Sequence, residues 1–422
     1  MNILIKQATV IDSKSPYNGK KVDILIENGI ITSIKSKLSN TKNVKEVEFK
    51  NLHLSPGWFE MQANFCDPGF EHKEDLKTGI NAAINGGFTE VAVVPSTNPP
   101  IHTKAQVQYI LNNTKDAIVK VHPVGTVSAN LEGKELSEMY DMKLAGAIAF
   151  YDDKKSVANA GLLMRALLYS KNFNSLILTH CDDKSVSVDG QMNEGITSTK
   201  LGLKGIPALA EELMVARNVF LSEYCDAPIH LMNISTQKSV DLIKQAKAKK
   251  IKVTASVNSY NLVLEDSLLN DFDSNYKLNP PLRTKTDIDA LRKGIADGVI
   301  DAITSDHRPQ DIESKDIEFD MASNGMISLE TSFAMLNTKL KNLSLEQVVN
   351  AMTHQPRAIL GVSAVVIKEG ELANITLFDP SMDWEYDAKK VVSKSKNSPF
   401  IGQKFKGKAL GVINNNKIQL VK

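Results

Sequence analysis

The sequence predicts an α/β protein: a (β/α)₈ TIM-like barrel plus a small β-sandwich-like domain built from both chain ends. Apolar strand-like segments alternate with helical patterns through the middle of the chain, and strand-rich segments lie at both ends. A chain of 422 residues is long enough for a barrel with an appendage. We therefore expect the β domain to combine residues 1–54 with residues 363–422, and the barrel to occupy residues 55–362.

The first 50 or so residues read as short β-strands. Their apolar runs are separated by segments that contain Gly, Asn and Ser, the residue types that favour turns. The runs lie at residues 3–5, 10–11, 23–26 and 30–34. This part of the chain is the predicted first half of the β domain.

The middle of the chain contains eight candidate strands with helical patterns between them. Ser235 and Thr236, for example, can cap the start of a helix that follows the sixth strand. An open doubly wound sheet is the alternative to a barrel, but no Gly-x-Gly-x-x-Gly turn follows any of the strands. The predicted strands lie near residues 57–64, 90–95, 119–126, 145–150, 176–180, 229–233, 252–257 and 301–305.

The C-terminal segment returns to the strand-like pattern of the N-terminal segment. Residues 372–378 and 409–413 read as strands, and the three asparagines at 414–416 read as a tight turn. These strands are the predicted second half of the β domain.

Composition excludes several classes of function. The hydrophobic content of 42 % and charged content of 23 % are ordinary for a globular protein, and a net charge of +1 favours neither nucleic acid nor an anionic membrane as a partner. No apolar run reaches the ~18 residues of a membrane span, and no signal peptide is evident, so we expect a cytoplasmic protein. Cys66, Cys181 and Cys225 are too few and too widely spaced to predict disulfides or a structural zinc site.

Polar residues cluster at the predicted C-terminal ends of the barrel strands, where the chemistry of such barrels is located. Asp153, His180 and Asp306 could bind one metal ion or hold a water there, although each alone could equally be a structural group. Long loops near 182–205 and 308–325 could cover this mouth. The other strand-end residues are Gln62, Asn64, Ser96, Asn98, Asp152, Asn233, Tyr260, Asn261 and His307.

Several short motifs, taken together, resemble the dihydroorotase branch of the amidohydrolase superfamily. The resemblance extends over essentially the whole chain and implies a cytoplasmic protein of pyrimidine biosynthesis. The motifs include Pro-Gly-Phe-Glu-His-Lys-Glu-Asp at 68–75 and Asn-Pro-Pro-Leu-Arg at 279–283; the others lie at 86–89, 97–99, 180–183, 206–207, 234–236 and 305–307.

The resemblance also implies a metal centre, and this sequence alters it. In the family, two zinc ions share a hydroxide that attacks the ring amide of dihydroorotate. The implied ligand positions that are retained are Asp153, His180 and Asp306. The histidines of the family are replaced by Gln62, Asn64 and Asn233. A carboxamide oxygen is a poor zinc donor compared with imidazole, so we expect no metal or at most one zinc ion.

The implied substrate-binding positions are altered too. The family arginine that grips the substrate carboxylate falls at Cys66, the asparagine of its Pro-Asn-Thr motif at Ser96, and a histidine at Gln310. Only Asn279 is retained. A thiol cannot replace the two-pronged hydrogen bonding of arginine to a carboxylate.

Three hypotheses follow for function. The first is an inactive dihydroorotase homologue with a scaffolding role, pairing with itself or with a pyrimidine-pathway enzyme such as aspartate carbamoyltransferase. The second is a metal-dependent hydrolase of cyclic amides with a rebuilt site, in which Asp153, His180 and Asp306 hold one metal and Asp306 is the general base. The third is dihydroorotase activity that survives with weak binding of two zinc ions.

Overall fold

A computed structural model describes residues 1–39 and 44–421. The N-terminal strands form one side of a β-sheet in which β1 pairs antiparallel with β2 and parallel with β4 and β5, while β2 pairs with β3. Alternating aliphatic side chains of these strands are buried in a core that they share with the C-terminal segment. The strands are β1 (Asn2–Val10), β2 (Lys21–Glu27), β3 (Ile30–Lys35), β4 (Lys45–Val47) and β5 (His53–Pro56).

The middle of the chain forms a closed parallel barrel. Its strands form two arcs, β6-β7-β8 and β9-β12-β13-β14, and all of their pairings are parallel. The short strands β10 and β11 pair with each other in the loop after β9. The strands are β6 (Trp58–Ala63), β7 (Phe88–Val93), β8 (Lys120–Pro123), β9 (Ile177–His180), β10 (Met192–Asn193), β11 (Gly205–Ile206), β12 (Ile229–Met232), β13 (Val253–Asn258) and β14 (Ala302–Thr304).

Helices lie between the barrel strands, and several begin at a residue whose polar side chain caps them. The predicted cap at Thr236 is confirmed: its hydroxyl accepts a hydrogen bond from the Ser239 N–H at the start of α7. Among the described residues, no helix is long and apolar enough to cross a membrane. The helices are α1 (Leu76–Gly86), α2 (Lys104–Thr114), α3 (Met139–Ala145), α4 (Ala160–Lys171), α5 (Ile196–Leu201), α6 (Ala208–Cys225), α7 (Gln237–Ala248), α8 (Lys285–Ala296), α9 (Ser332–Lys339), α10 (Leu345–Met352) and α11 (His354–Leu360).

Single residue pairings close the barrel between the two arcs. Phe150 pairs with Gly125 on one side and with Ile177 on the other, and Ala63 pairs with His307. The fourth strand is therefore much shorter than the predicted segment near 145–150. The physical reason is that α3 ends at Gly146, which has a left-handed φ of 113°, and the backbone turns again at Asp153, so that little extended chain remains.

The C-terminal strands complete the β domain. They are β15 (Ile375–Glu385), β16 (Lys404–Asn414) and β17 (Lys417–Leu420), and β15 lies between β5 and β16. Asn415 and Asn416, both with left-handed φ, form the predicted turn between β16 and β17. Strands from both chain ends thus share one sheet beside the barrel, as predicted, while domain boundaries at residues 54 and 362 stay a proposal.

Candidate functional site

The residues at the six implied ligand positions all lie at the C-terminal mouth of the barrel. Each is buried, with 8 % or less of its surface exposed. Asp153, Asn233 and Asp306 follow their strands with left-handed φ values of 52°, 58° and 51°. Asp and Asn tolerate this conformation better than most residues because their short polar side chains form local hydrogen bonds. The positions are Gln62, Asn64, Asp153, His180, Asn233 and Asp306.

The Asp153 carboxylate is bound by an arginine of the same chain. Arg308 Nη1 lies 2.9 Å from Asp153 Oδ2 and Nη2 lies 2.7 Å from Oδ1, so the guanidinium holds both oxygens. The Ser96 hydroxyl donates to the same carboxylate. Burial alone would raise the pKa of Asp153, but the Arg308 charge outweighs it and holds that pKa below its usual value. The resulting ion pair is strong and directional.

The Asp306 carboxylate is bound by a lysine. Lys154 Nζ lies 2.9 Å from Asp306 Oδ2 and 3.0 Å from Asn233 Oδ1. Burial lowers the pKa of Lys154. The Tyr260 hydroxyl donates to the same Oδ2 at 2.6 Å. The other oxygen, Oδ1, lies 3.6 Å from Arg308 Nη2. Asp306, the proposed general base, is therefore already engaged by a cation and a phenol.

The carboxamides that replace the histidines form hydrogen bonds within the chain. Asn233 Nδ2 donates to Gln62 Oε1 at 2.7 Å and also to Asn258 Oδ1. Asn64 Oδ1 accepts the backbone N–H of Cys66 at 2.8 Å. Because Asn233 Oδ1 accepts from Lys154, each of the three carboxamide oxygens has an internal donor. These amides therefore act as structural hydrogen-bonding groups.

His180 is the one imidazole retained at the implied ligand positions. Its Nε2 lies 3.2 Å from Asn279 Oδ1, so the retained substrate-side residue holds the retained histidine. Its buried Nδ1 has no hydrogen-bond partner within the described ranges 1–39 and 44–421. Burial, followed by the charge of Lys154, lowers the pKa of His180 to about 3, so the ring is neutral near pH 7.

The altered substrate positions are also engaged within the chain or unsuited to an anion. Burial raises the pKa of the Cys66 thiol to about 12, so it presents no charge to a carboxylate. Gln310 accepts from Lys73 Nζ at 2.8 Å and donates to the Asn324 carbonyl at 2.9 Å. Ser96 is bound to Asp153.

A cavity of about 210 Å³ lies above this network. The loop at 308–325 contributes to its walls, as expected for a segment that covers the mouth. The cavity is also lined by Lys154, Tyr260, Asn279 and Asp306. The lining from the loop consists of Arg308, Gln310, Ser323, Asn324 and Gly325.

Sequence reasoning missed the two cations. Lys154 follows Asp153 directly, and Arg308 lies two residues after Asp306. The available signal was a basic residue within two positions of each retained carboxylate, in a chain that has lost three of the implied imidazoles. Tyr260 was recognised as a strand-end residue, but its bond to Asp306 was not foreseen.

These residues do not fit the zinc pair that the resemblance implies. Among the residues the structure describes, no three His, Cys, Asp or Glu side chains are grouped so as to hold a metal ion. Zinc prefers thiolate, imidazole and carboxylate donors. Here both carboxylates face side-chain cations, and the carboxamide oxygens accept hydrogen bonds instead.

Comparisons with known sequences agree with the motifs. A family profile described as Dihydro-orotase-like matches residues 52–239. The dihydroorotase of Citrifermentans bemidjiense is 41 % identical over 414 residues, covering 97 % of each chain. The dihydroorotase of Acetivibrio thermocellus is 42 % identical over 420 residues, covering 99 % of this chain and 98 % of its own.

Comparisons with solved structures agree on the fold. The L-hydantoinase (dihydropyrimidinase) from Arthrobacter aurescens superposes with a TM-score of 0.84 at 21 % identity, covering 100 % of this chain and 97 % of its own. The dihydropyrimidinase from Brevibacillus agri gives a TM-score of 0.82 at 20 % identity, covering 100 % and 95 %. At such identities the likeness concerns the fold, which is the (β/α)₈ barrel with a β-rich domain.

Proposed function

Because the chain belongs to the dihydroorotase family, we propose that it serves pyrimidine metabolism as a non-catalytic member with a scaffolding role. The observation that carries this proposal is the ion pairing at the barrel mouth. Lys154 and Arg308 bind the two retained carboxylates, Asp306 and Asp153. The carboxylates that would hold a metal are instead bound to side-chain cations.

The chemistry of amide hydrolysis explains why this pairing matters. Water is a weak nucleophile at neutral pH, and a catalytic metal lowers its pKa from 15.7 to about 7 while polarising the carbonyl. An ammonium or guanidinium group donates hydrogen bonds but does not ionise water in this way. Asp306 Oδ2 is already bound to Lys154 and Tyr260, and Oδ1 lies 3.6 Å from the Arg308 guanidinium. The mouth therefore lacks an evident means of activating water.

A scaffolding role requires a contact surface, and helix α6 offers one. Four large apolar side chains on this helix are 46–78 % exposed: Leu209, Leu213, Phe220 and Tyr224. Exposed apolar groups in such a row are typical of protein–protein contacts. We propose a cytoplasmic homodimer, or a complex with aspartate carbamoyltransferase or another pyrimidine-pathway enzyme, as the functional assembly.

The decisive experiment measures dihydroorotate hydrolysis and N-carbamoyl-aspartate cyclisation with and without added zinc. We expect the wild type to match the Asp306→Asn variant, with no turnover above the uncatalysed rate. Zinc-dependent turnover that is lost in Asp306→Asn would contradict the proposal. Size-exclusion chromatography of this protein mixed with the organism's aspartate carbamoyltransferase tests whether the two form a complex. The Phe220→Ser variant tests whether α6 is the contact surface.

The second candidate is a metal-dependent hydrolase of cyclic amide C–N bonds with a rebuilt mono-metal site. The comparisons favour this function over the first, because relatives at 41–42 % identity across the chain are called dihydroorotases. The free Nδ1 of His180 also supports it, since a neutral imidazole nitrogen is a good zinc ligand. It predicts about one zinc per chain and turnover of dihydroorotate or of a neutral ring such as hydantoin. The zinc content and the turnover should both fall in His180→Ala.

A further inference from the structure

We propose that Lys154 and Arg308 stand in for the divalent ions at this mouth, so that these two cations, and not the missing imidazoles alone, exclude metal. The inference deepens the proposed function and rests on it, since both assume a mouth without metal chemistry. The proposed function concerns the whole protein, whereas Lys154 and Arg308 here receive a role of their own in excluding metal.

The two retained carboxylates are balanced by two cations of the same chain. Asp153 and Asp306 are 2 % and 3 % exposed, and buried carboxylates need compensating charge. The Lys154 ammonium and the Arg308 guanidinium supply two positive charges within hydrogen-bonding distance. Each of the two carboxylates is thereby paired with one positive charge, so a divalent cation would lie beside two cations that already neutralise them.

The cations bind three of the four carboxylate oxygens that a metal would need, and Asp306 Oδ1 is the fourth. Arg308 binds both oxygens of Asp153. Lys154 binds Asp306 Oδ2 and also Asn233 Oδ1, the side chain at one of the replaced positions. A histidine restored at position 233 would therefore face the Lys154 ammonium. Restoring imidazoles alone should leave the carboxylates unavailable.

The competing interpretation treats the two ion pairs as ordinary structural contacts that have no bearing on metal affinity. On that interpretation, imidazole donors decide zinc binding, and restoring them should suffice. The two interpretations therefore differ in what happens when histidines return while Lys154 and Arg308 stay in place.

The experiment compares zinc content in two variants after equilibration with zinc and dialysis. The first carries Gln62→His, Asn64→His and Asn233→His; the second adds Lys154→Ala and Arg308→Ala. We expect little zinc in the first variant, and in the second at least one zinc per chain with a Kd at least about tenfold lower. Circular dichroism verifies that both are folded. A first variant that binds zinc as tightly as the second overturns the inference, as does a folded second variant without zinc.

A fourfold variant that keeps Arg308 leaves the inference testable if the fivefold variant does not fold. Added to the three histidine substitutions, Lys154→Ala should let zinc raise the Tm, whereas Lys155→Ala, which removes an exposed lysine from the same loop, should not. Absence of this difference would overturn the inference. Turnover of dihydroorotate by a wild type that holds no zinc would overturn only the proposed function.

Discussion

At the scale of single residues, the mouth shows how a site can lose metal donors and gain internal hydrogen bonds, although buried atoms such as Gln62 Nε2 and Asp306 Oδ1 have no hydrogen-bond partner in the described part of the chain. Buried polar groups without partners are costly, so replacing one imidazole by an amide would be destabilising in isolation. Here Gln62, Asn233 and Asn258 bond to one another, and Lys154 joins Asn233 to Asp306. Gln62 and Asn233 therefore belong to one connected network, which argues that these two replacements act together, while Asn64 bonds separately to the Cys66 backbone.

Breaking the Arg308–Asp153 pair should cost substantial stability. Arg308→Met leaves a buried carboxylate without its counter-ion, and we expect a loss of about 3 kcal/mol in the free energy of unfolding. Urea denaturation measures this loss, with the exposed Arg165→Met as control. The double variant Arg308→Met/Asp153→Asn should lose less than the sum of the two single variants. Additive losses would mean that the pair is not coupled.

The sequence could locate the altered site but not its internal cations. The replaced positions Gln62, Asn64 and Asn233 were identified because motifs align them with known ligands. No motif marks Lys154, and its neighbour Lys155 has the same side chain yet points to solvent. Which of two adjacent lysines turns inward depends on the left-handed turn at Asp153 and on the position of Asp306, both of which are tertiary features.

At the scale of elements, one buried carboxylate joins barrel strands to the β domain. Glu90 on β7 accepts from Arg357 of α11 at 2.8 Å and from Asn374, just before β15, at 3.0 Å. His122 on β8 lies 2.8 Å from its other oxygen. Burial would raise the pKa of Glu90, but these partners outweigh it and lower that pKa to about 2. Glu90 is therefore ionised throughout the ordinary pH range.

This lowered pKa predicts acid sensitivity. A carboxylate whose pKa falls from 4.5 to about 2 on folding stabilises the protein above pH 4.5, and the contribution is lost as the pH falls toward 2. The shift corresponds to about 3 kcal/mol. We expect Glu90→Gln to be markedly less stable than the wild type at pH 7, with the difference shrinking by pH 3. Urea titrations at both pH values test this, and a constant difference would contradict it.

Among the elements, the fourth barrel strand was the least predictable. The apolar run near 145–150 has the composition of a strand, but only Phe150 pairs on both sides. Gly146 and Asp153, which lie on either side of Phe150 in the chain, have left-handed φ values that limit the extended segment. The helices were easier to foresee where a cap is encoded locally, as at Thr236, because capping depends on residues adjacent in sequence.

At the scale of the whole molecule, the β domain depends on contacts between distant parts of the chain. The sequence indicates strands at both ends, but period-two patterns do not specify partners. The structure places β15 next to β5, with Thr376 paired to Ser55. Thr376 also bonds to the barrel, donating to the Gly87 carbonyl at 2.6 Å. The sheet thus packs against the barrel through residues that no local pattern identifies as neighbours.

The response of the whole protein to metal follows from the charge balance at its mouth. A ligand that binds the folded state alone stabilises it by RT ln(1 + [L]/Kd), about 2.7 kcal/mol at a hundredfold excess over Kd. Because Lys154 and Arg308 already neutralise Asp306 and Asp153, we expect the wild-type Tm to be the same within error in EDTA and in micromolar zinc. Differential scanning calorimetry at one protein concentration and pH measures both Tm values.

A rise in Tm with zinc that is absent in His180→Ala would instead support the mono-metal hydrolase, because His180 is the one imidazole retained at the implied ligand positions. A rise that persists in His180→Ala would point to zinc binding elsewhere on the surface.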